Sequence, residues 1–151
     1  MPVSAGRSEL PSTVVVVDTD AFSKVFVRRT RSADAQAESA ALKRRLQGRI
    51  VVIATQTRAE LKAWPLVKGW GASERARLEE LLDGTTTVPV SEDVVDAFVA
   101  LTVQCQAAGH ALARKDHVAD RWVAASAVAL DRPLLALDRI YENAPGLTLL
   151  S

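Results

Sequence analysis

Hydrophobic residues arrive in two rhythms that alternate along the chain. Val14 to Val17 is an unbroken β-branched run, the pattern of a central strand buried on both faces. Asp20 to Val27 begins a helix with Asp20 as its N-cap. Ala33 to Leu46, rich in Ala, Leu, Gln, Arg and Lys, predicts a second helix that Gly48 stops. Ile50 to Ala54 is again a strand. Thr55 to Ala63 reads as a helix capped by Thr55 or Thr57, and Pro65, Gly69 and Gly71 break up the next stretch. Ser73 to Leu82, ended by Gly84, is helical, and Val88 to Val90 is a brief strand. Ser91 caps a helix to about Ala108, stopped by Gly109. Ala119 to Leu130 is the last helix. Leu134 to Leu137 and Leu147 to Leu150 close the chain as strands. Strands taking turns with helices predict an α/β fold, a three-layer sandwich whose mostly parallel central sheet is flanked by helices. Residues 1–12 read as a flexible N-terminal tail before a single domain over 13–151, which no repeat or linker divides.

Composition narrows the classes. A chain of 151 residues with 48% hydrophobic content can bury a core without staples. The net charge of +1 provides no global field toward nucleic acid or membrane, so any such attraction must be local. The single Cys105 cannot close an internal disulfide, and no apolar run approaches the ~18 residues of a membrane span. The N-terminus lacks the apolar stretch of a signal peptide. The expectation is a cytoplasmic protein.

The candidate chemistry is acidic. The valine run ends on Asp18 and Asp20 with only Thr19 between them. In open parallel sheets ligands bind beyond the carboxyl ends of the strands, and Asp138 follows the strand Leu134 to Leu137 as Asp18 follows Val14 to Val17. Glu60 lies in the helix after Ile50 to Ala54, and Asp120 opens the helix ADRWVAASAVAL. Asp116, four residues earlier, shares a face with Asp120 if that helix begins early. Two carboxylates ~4 Å apart repel by about 4 kcal/mol at an effective dielectric near 20. A cluster of them needs protons, Arg or Lys, or a divalent cation. Oxygen ligands without His or Cys suit Mg²⁺ or Mn²⁺, and such an ion can activate water against a phosphodiester. Each acid also has an ordinary role open to it, as turn residue, N-cap or first-turn acid.

The stretch VVVVDTDAFS resembles the first motif of the PIN-domain family, TRAELKAW its second acid at Glu60, and ADRWVAASAVALDRPLLALDRIYENAPGLTLL the C-terminal half of the VapC toxins. The resemblance runs from about residue 14 to 150. It implies a metal-dependent endoribonuclease, the toxin of a type II toxin–antitoxin pair. It further implies a homodimer held inactive by a VapB-like antitoxin whose tail enters the groove. Asp18, Asp120 and Asp138 would hold Mg²⁺ or Mn²⁺, with Asp116 and Glu60 as further candidates. Glu60 would complete the cluster or orient the attacking water, which displaces the 3′-oxygen and leaves a 5′-phosphate. The chain departs from the pattern at Asp20, where Asn or Ser is commoner, and at Ala136 and Leu137, where a hydroxyl is frequent before the last acid. Those departures motivate an alternative, a weakened module of the same fold that binds RNA or a protein without cutting.

Other residues carry less. His110 and His117 have no third ligand beside them and read as structural or surface groups. Trp64 and Trp70 could stack bases but fit the core or an interface better. Arg28, Arg29 and Arg31, Lys43 to Arg45 with Arg49, and Arg58 with Lys62 could contact phosphates, while Arg121 and Arg139 stand beside acids they could neutralise. A receiver domain lacks its Lys after Leu134 to Leu137, and no strand is followed by the glycine pattern of a dinucleotide site.

Overall fold

A computed structural model describes residues 9–29 and 32–151. Arg31 and the first eight residues of the expected tail lie outside these. Among the described residues four strands form one sheet in the order β3-β2-β1-β4: β1 (Val14–Val17), β2 (Ile50–Ala54), β3 (Thr86–Val88) and β4 (Leu134–Leu135). Every pairing is parallel, with Val15 opposite Val51, Val17 opposite Leu135 and Ile53 opposite Thr87. Among the described residues six α-helices flank the sheet, so the α/β sandwich is as expected. They are α1 (Thr19–Phe22), α2 (Ala33–Leu46), α3 (Thr55–Lys68), α4 (Ala72–Asp83), α5 (Glu92–Ala107) and α6 (Val118–Leu130). Among the described residues no helix is long and apolar enough to cross a membrane.

The four valines of β1 explain the layering. Successive strand residues face opposite sides. Val14 and Val16 pack with Val94, Leu101 and Val123 of α5 and α6. Val15 and Val17 pack with Phe22, Leu42, Leu61, Leu78 and Leu82 of α1 to α4. Each valine is buried to within 4% of complete, and burying such a side chain is worth roughly 1.5–3 kcal/mol. Between α5 and α6, Phe98 and Trp122 stack with ring centres 4.0 Å apart.

Several boundaries differ from the sequence reading. The N-cap of α1 is Asp18, whose carboxylate accepts from the Ala21 N–H at 2.8 Å, and Asp20 sits inside the helix paired with Arg28. A π-helical turn, Ser23–Val27, completes the segment. Pro65 does not end α3; the helix runs to Lys68, and Gly69 caps it at φ +66°, a left-handed turn that favours glycine. β3 begins at Thr86 and β4 stops at Leu135, while the expected strand at Leu147 to Leu150 is a single bridge between Leu149 and Leu134. Two 3₁₀ turns, Ala111–Ala113 and Lys115–His117, precede α6. Ahead of β1, Arg132 bonds the carbonyl oxygens of Leu10 and Pro11.

Candidate functional site

β1 and β4 are adjacent and parallel, so their carboxyl ends open on the same rim, where the chain places Asp18 and Asp138. The Asp18 N–H still belongs to the sheet, bonded to Leu135 O at 2.9 Å. β2 ends on that rim too and leads directly into α3, which brings Glu60 over it. The first turn of α6 contributes Asp120. The outcome is one cavity of about 220 Å³ lined by Asp18, Thr19, Asp20, Glu60, Trp64, Asp120, Val123, Asp138 and Tyr141. Five acids therefore meet, Asp18 and Asp20 from one stretch of sequence and Glu60, Asp120 and Asp138 from three others.

Local bonds fix each one. Asp18 and Asp138 cap the helical turns they precede; Asp138 accepts from Ile140 N–H at 3.0 Å. Asp120 is bonded at both oxygens. His117 Nδ1 lies 2.9 Å from Oδ2, and the Tyr141 hydroxyl donates to Oδ1 at 3.3 Å. Gln56 donates to Glu60 at 3.4 Å, and Thr19 donates to Thr57 at 3.0 Å. The ordinary capping roles and the shared cavity are thus compatible, because a cap at the end of a strand already points its free oxygen at the rim.

The electrostatics are one-sided. Burial pushes the Asp18 carboxyl up to about 7, with the Asp20 and Asp138 charges adding to the rise and the Ala21 and Leu137 N–H groups opposing it. Burial also raises Glu60, helped by the Asp120 charge and opposed by Gln56 and Thr19. The Tyr141 phenol is driven upward by burial first and then by the surrounding carboxylates, so it remains a donor to Asp120. The neighbouring arginines do not relieve this. Arg121 turns into the protein, where it is 6% exposed and bonds the carbonyl oxygens of Leu112 and Arg114. Arg139 is exposed and pairs with Glu142 at 3.5 Å. Their expected neutralising role is therefore corrected: in both cases the side chain leaves the acid beside it.

Asp116, a further candidate from the sequence, lies apart from the other acids. α6 begins at Val118, so Asp116 stays in the preceding 3₁₀ turn, exposed and paired with Arg114 and His117, and it is not part of the cavity lining. Among the described residues no three His, Cys, Asp or Glu side chains are grouped so that they could hold a metal ion as placed. The donor chemistry nonetheless fits a hard cation, because five carboxylates and no Lys or Arg line the cavity, and Arg28 reaches only Asp20 at its edge. An ion that keeps several waters does not require every carboxylate in direct contact.

Sequence reasoning missed three contributors, His117, Tyr141 and Thr19, and set Trp64 in the core or an interface. His117 holds Asp120 across three residues, a spacing that brings side chains together on a helical turn. Tyr141 follows Asp138 by the same interval. Thr19 lay in plain view between the two acids. Trp64 lines the cavity while packing on the core. Among the basic residues, Arg58 ties α3 to Leu82 O and Asp83, and Lys62 pairs with Glu79.

The fold and site together define an α/β domain with an acidic cavity at the carboxyl rim of a parallel sheet. No family model and no curated protein matches the chain. Solved structures do share its fold. VapBC2 from Rickettsia felis, bound to a DNA fragment from its promoter, matches 90% of this chain and 96% of its own with a TM-score of 0.67 at 14% identity. FitAcB from Neisseria gonorrhoeae matches 91% of this chain and 96% of its own with a TM-score of 0.64 at 17% identity. These findings correct the family reading. The likeness falls on assemblies named for both of their partners, at identities that carry the fold alone, and no family model supports the motifs. Membership of the PIN-domain family and identity as a VapC-like toxin therefore do not stand. The physical reason is that an acid after a buried parallel strand, or an Asp in the first turn of an Ala-rich helix, is what this architecture accepts at its rim in many unrelated proteins.

Proposed function

We propose that the chain is a divalent-cation-dependent endoribonuclease that works in a two-protein pair of the toxin–antitoxin kind. The observation that supports this most is the meeting of Asp18, Glu60, Asp120 and Asp138 in one small cavity whose lining holds no Lys or Arg. Asp18, Asp120 and Asp138 would hold Mg²⁺ or Mn²⁺. When bound, the ion would offset negative charge on a phosphodiester and make a water acidic enough to attack it. The chain's own groups do the remainder. His117 and Tyr141 fix the Asp120 carboxylate from two sides. Glu60, whose proton affinity burial raises, is the group suited to accept a proton from water at its carboxylate in this cavity. Trp64 forms part of the cavity wall. The pairing reading draws on the fold shared with VapBC2 and FitAcB; a homodimer of this chain is part of the same proposal.

A second reading is a module that binds RNA or a partner protein without turnover. It is favoured by the absence, among the described residues, of a ready-made metal group, and by the full engagement of both Asp120 oxygens. One experiment separates the two: incubation of end-labelled RNA with the purified chain in Mg²⁺, in Mn²⁺ and in EDTA. Cleavage in either metal and none in EDTA upholds the nuclease. Binding with no cut in any of the three favours the module.

A further inference from the structure

The acidic cavity has a larger neighbour. A groove of about 720 Å³ lies among the Ser23–Val27 turn, α3 and α4. The two are joined twice. Trp64 lines both, and Asp20 of the cavity pairs with Arg28 of the groove at 3.3 Å. The groove carries four cations, Arg28, Arg29, Lys68 and Arg77, against two carboxylates, Glu74 and Glu80. Among the described residues no carboxylate lies within ion-pair distance of Arg29, Lys68 or Arg77. Two indoles, Trp64 and Trp70, are set between these charges, half-buried on the core beneath. The Lys68 ammonium stands 5.2 Å and the Arg28 guanidinium 5.9 Å from the Trp64 ring centre. That ring is therefore within reach of groups in the groove.

Unpaired cations with interleaved aromatic rings are the chemistry of a single-stranded nucleic-acid track, in which the backbone follows the charges and bases stack on the rings. The alternatives fit less well. An acidic peptide would satisfy the cations but would be repelled at the cavity and would leave the indoles unused. A duplex keeps its base faces to itself. We infer that this groove leads a single strand, RNA on the reading above, into the acidic cavity, with Arg29, Lys68 and Arg77 on phosphates and one base stacked on Trp64. The base takes the place of a cation over the ring, and the freed cation turns to the adjacent phosphate. The inference rests on the nuclease reading for the choice of RNA and for the direction of travel, not for the contacts.

The test measures binding apart from cutting. A fluorescein-labelled 12-nucleotide single-stranded RNA of mixed sequence is titrated with the full chain in EDTA, and anisotropy is followed over a range of salt. Lys68→Ala and Arg77→Ala, both exposed substitutions, should each weaken binding several-fold. Each should also reduce the slope of log K against log salt by about 0.7. Trp64→Leu should weaken it about five- to a hundredfold, the value of one stacked base. Arg44→Ala, on α2 and outside the groove, should bind as the parent does. Parent-like affinity and salt slope in Lys68→Ala and Arg77→Ala would overturn the inference, as would equal binding of the same RNA as a duplex, or no binding of the single strand. The two readings fail separately. Groove-dependent binding without metal-dependent cleavage removes the nuclease and keeps the track. Cleavage that survives intact in the groove variants removes the track and keeps the nuclease.

Discussion

Asp120 and Arg121 are neighbours in sequence, yet they belong to two regions where charge has opposite meanings. The acidic cavity gathers carboxylates of which only Asp20, at its edge, has an arginine partner, and burial there raises Asp18 and Glu60. The niche behind α6 takes one cation out of water and ties it to the backbone: Arg121 bonds Leu112 O at 3.1 Å and lies 4.9 Å from the Phe98 ring centre, with its Nε buried and unpaired. In the niche the charge joins the 3₁₀ turns to the helix, so its partners are internal. In the cavity the partners are incomplete, which is what a ligand site requires. A charged residue next to another in sequence need not share its task when a helix sends the two in different directions.

The sharpest break between the regions should come from Asp18→Asn. Asn retains the oxygen that caps α1, so the fold should persist while metal-dependent RNA cleavage falls to background, read as product on a gel. Undiminished cleavage by the folded variant would remove the cavity from the chemistry.

Next in size is the dependence of stability on pH. The folded Asp18 carboxyl lies near 7 against an ordinary 3.8, so the folded state favours the proton. The associated stability is fully present below about pH 4 and is lost as pH rises through about 7. At ~1.4 kcal/mol per unit the effect is on the order of 4 kcal/mol. Denaturant midpoints of the metal-free chain should therefore fall from pH 5 to pH 8, and Asp18→Asn should flatten that fall and exceed the parent at pH 8. A parent curve that rises over this range would show that Asp18 is not a strained acid.

Arg121→Ala should behave in the opposite manner. It leaves two carbonyl oxygens without their donor and should cost about 3 kcal/mol by chemical denaturation at any pH between 5 and 8. A cost that vanishes at low pH would tie Arg121 to the acids after all. Tyr141→Phe is the smallest, about 1 kcal/mol for one lost hydrogen bond. It should also loosen Asp120 and lower the cleavage rate without abolishing it.

The layers were legible because they follow from periodicity. β1, α2 and β2 have the bounds their apolar patterns set, and Ser91 caps α5 as expected. The acids were legible in part for the same reason, since Asp18 and Glu60 follow strands whose direction the alternation of elements dictates. Asp120 and Asp138 depended on which strands became neighbours, and the order β3-β2-β1-β4 brings them in. The rest was hidden where local propensity and tertiary packing disagree. Pro65 suggests a break, but it lies on the buried face of α3 and the helix continues past it to Gly69. Asp20 is a good capping residue, but Asp18 is held at the strand end by Leu135 and caps first. The turns over Ala111–His117 carry no apolar rhythm, so the partnership of His117 with Asp120 could be seen only in three dimensions.

The central claim is that the carboxylates at the rim form a seat for a divalent cation. Isothermal titration of the metal-free chain with Mn²⁺ at pH 7.5, run beside Asp18→Asn, tests it most directly. Saturable binding in the parent that is lost or strongly weakened in the variant is the predicted result. No binding in the parent, or equal binding in the two, would contradict it.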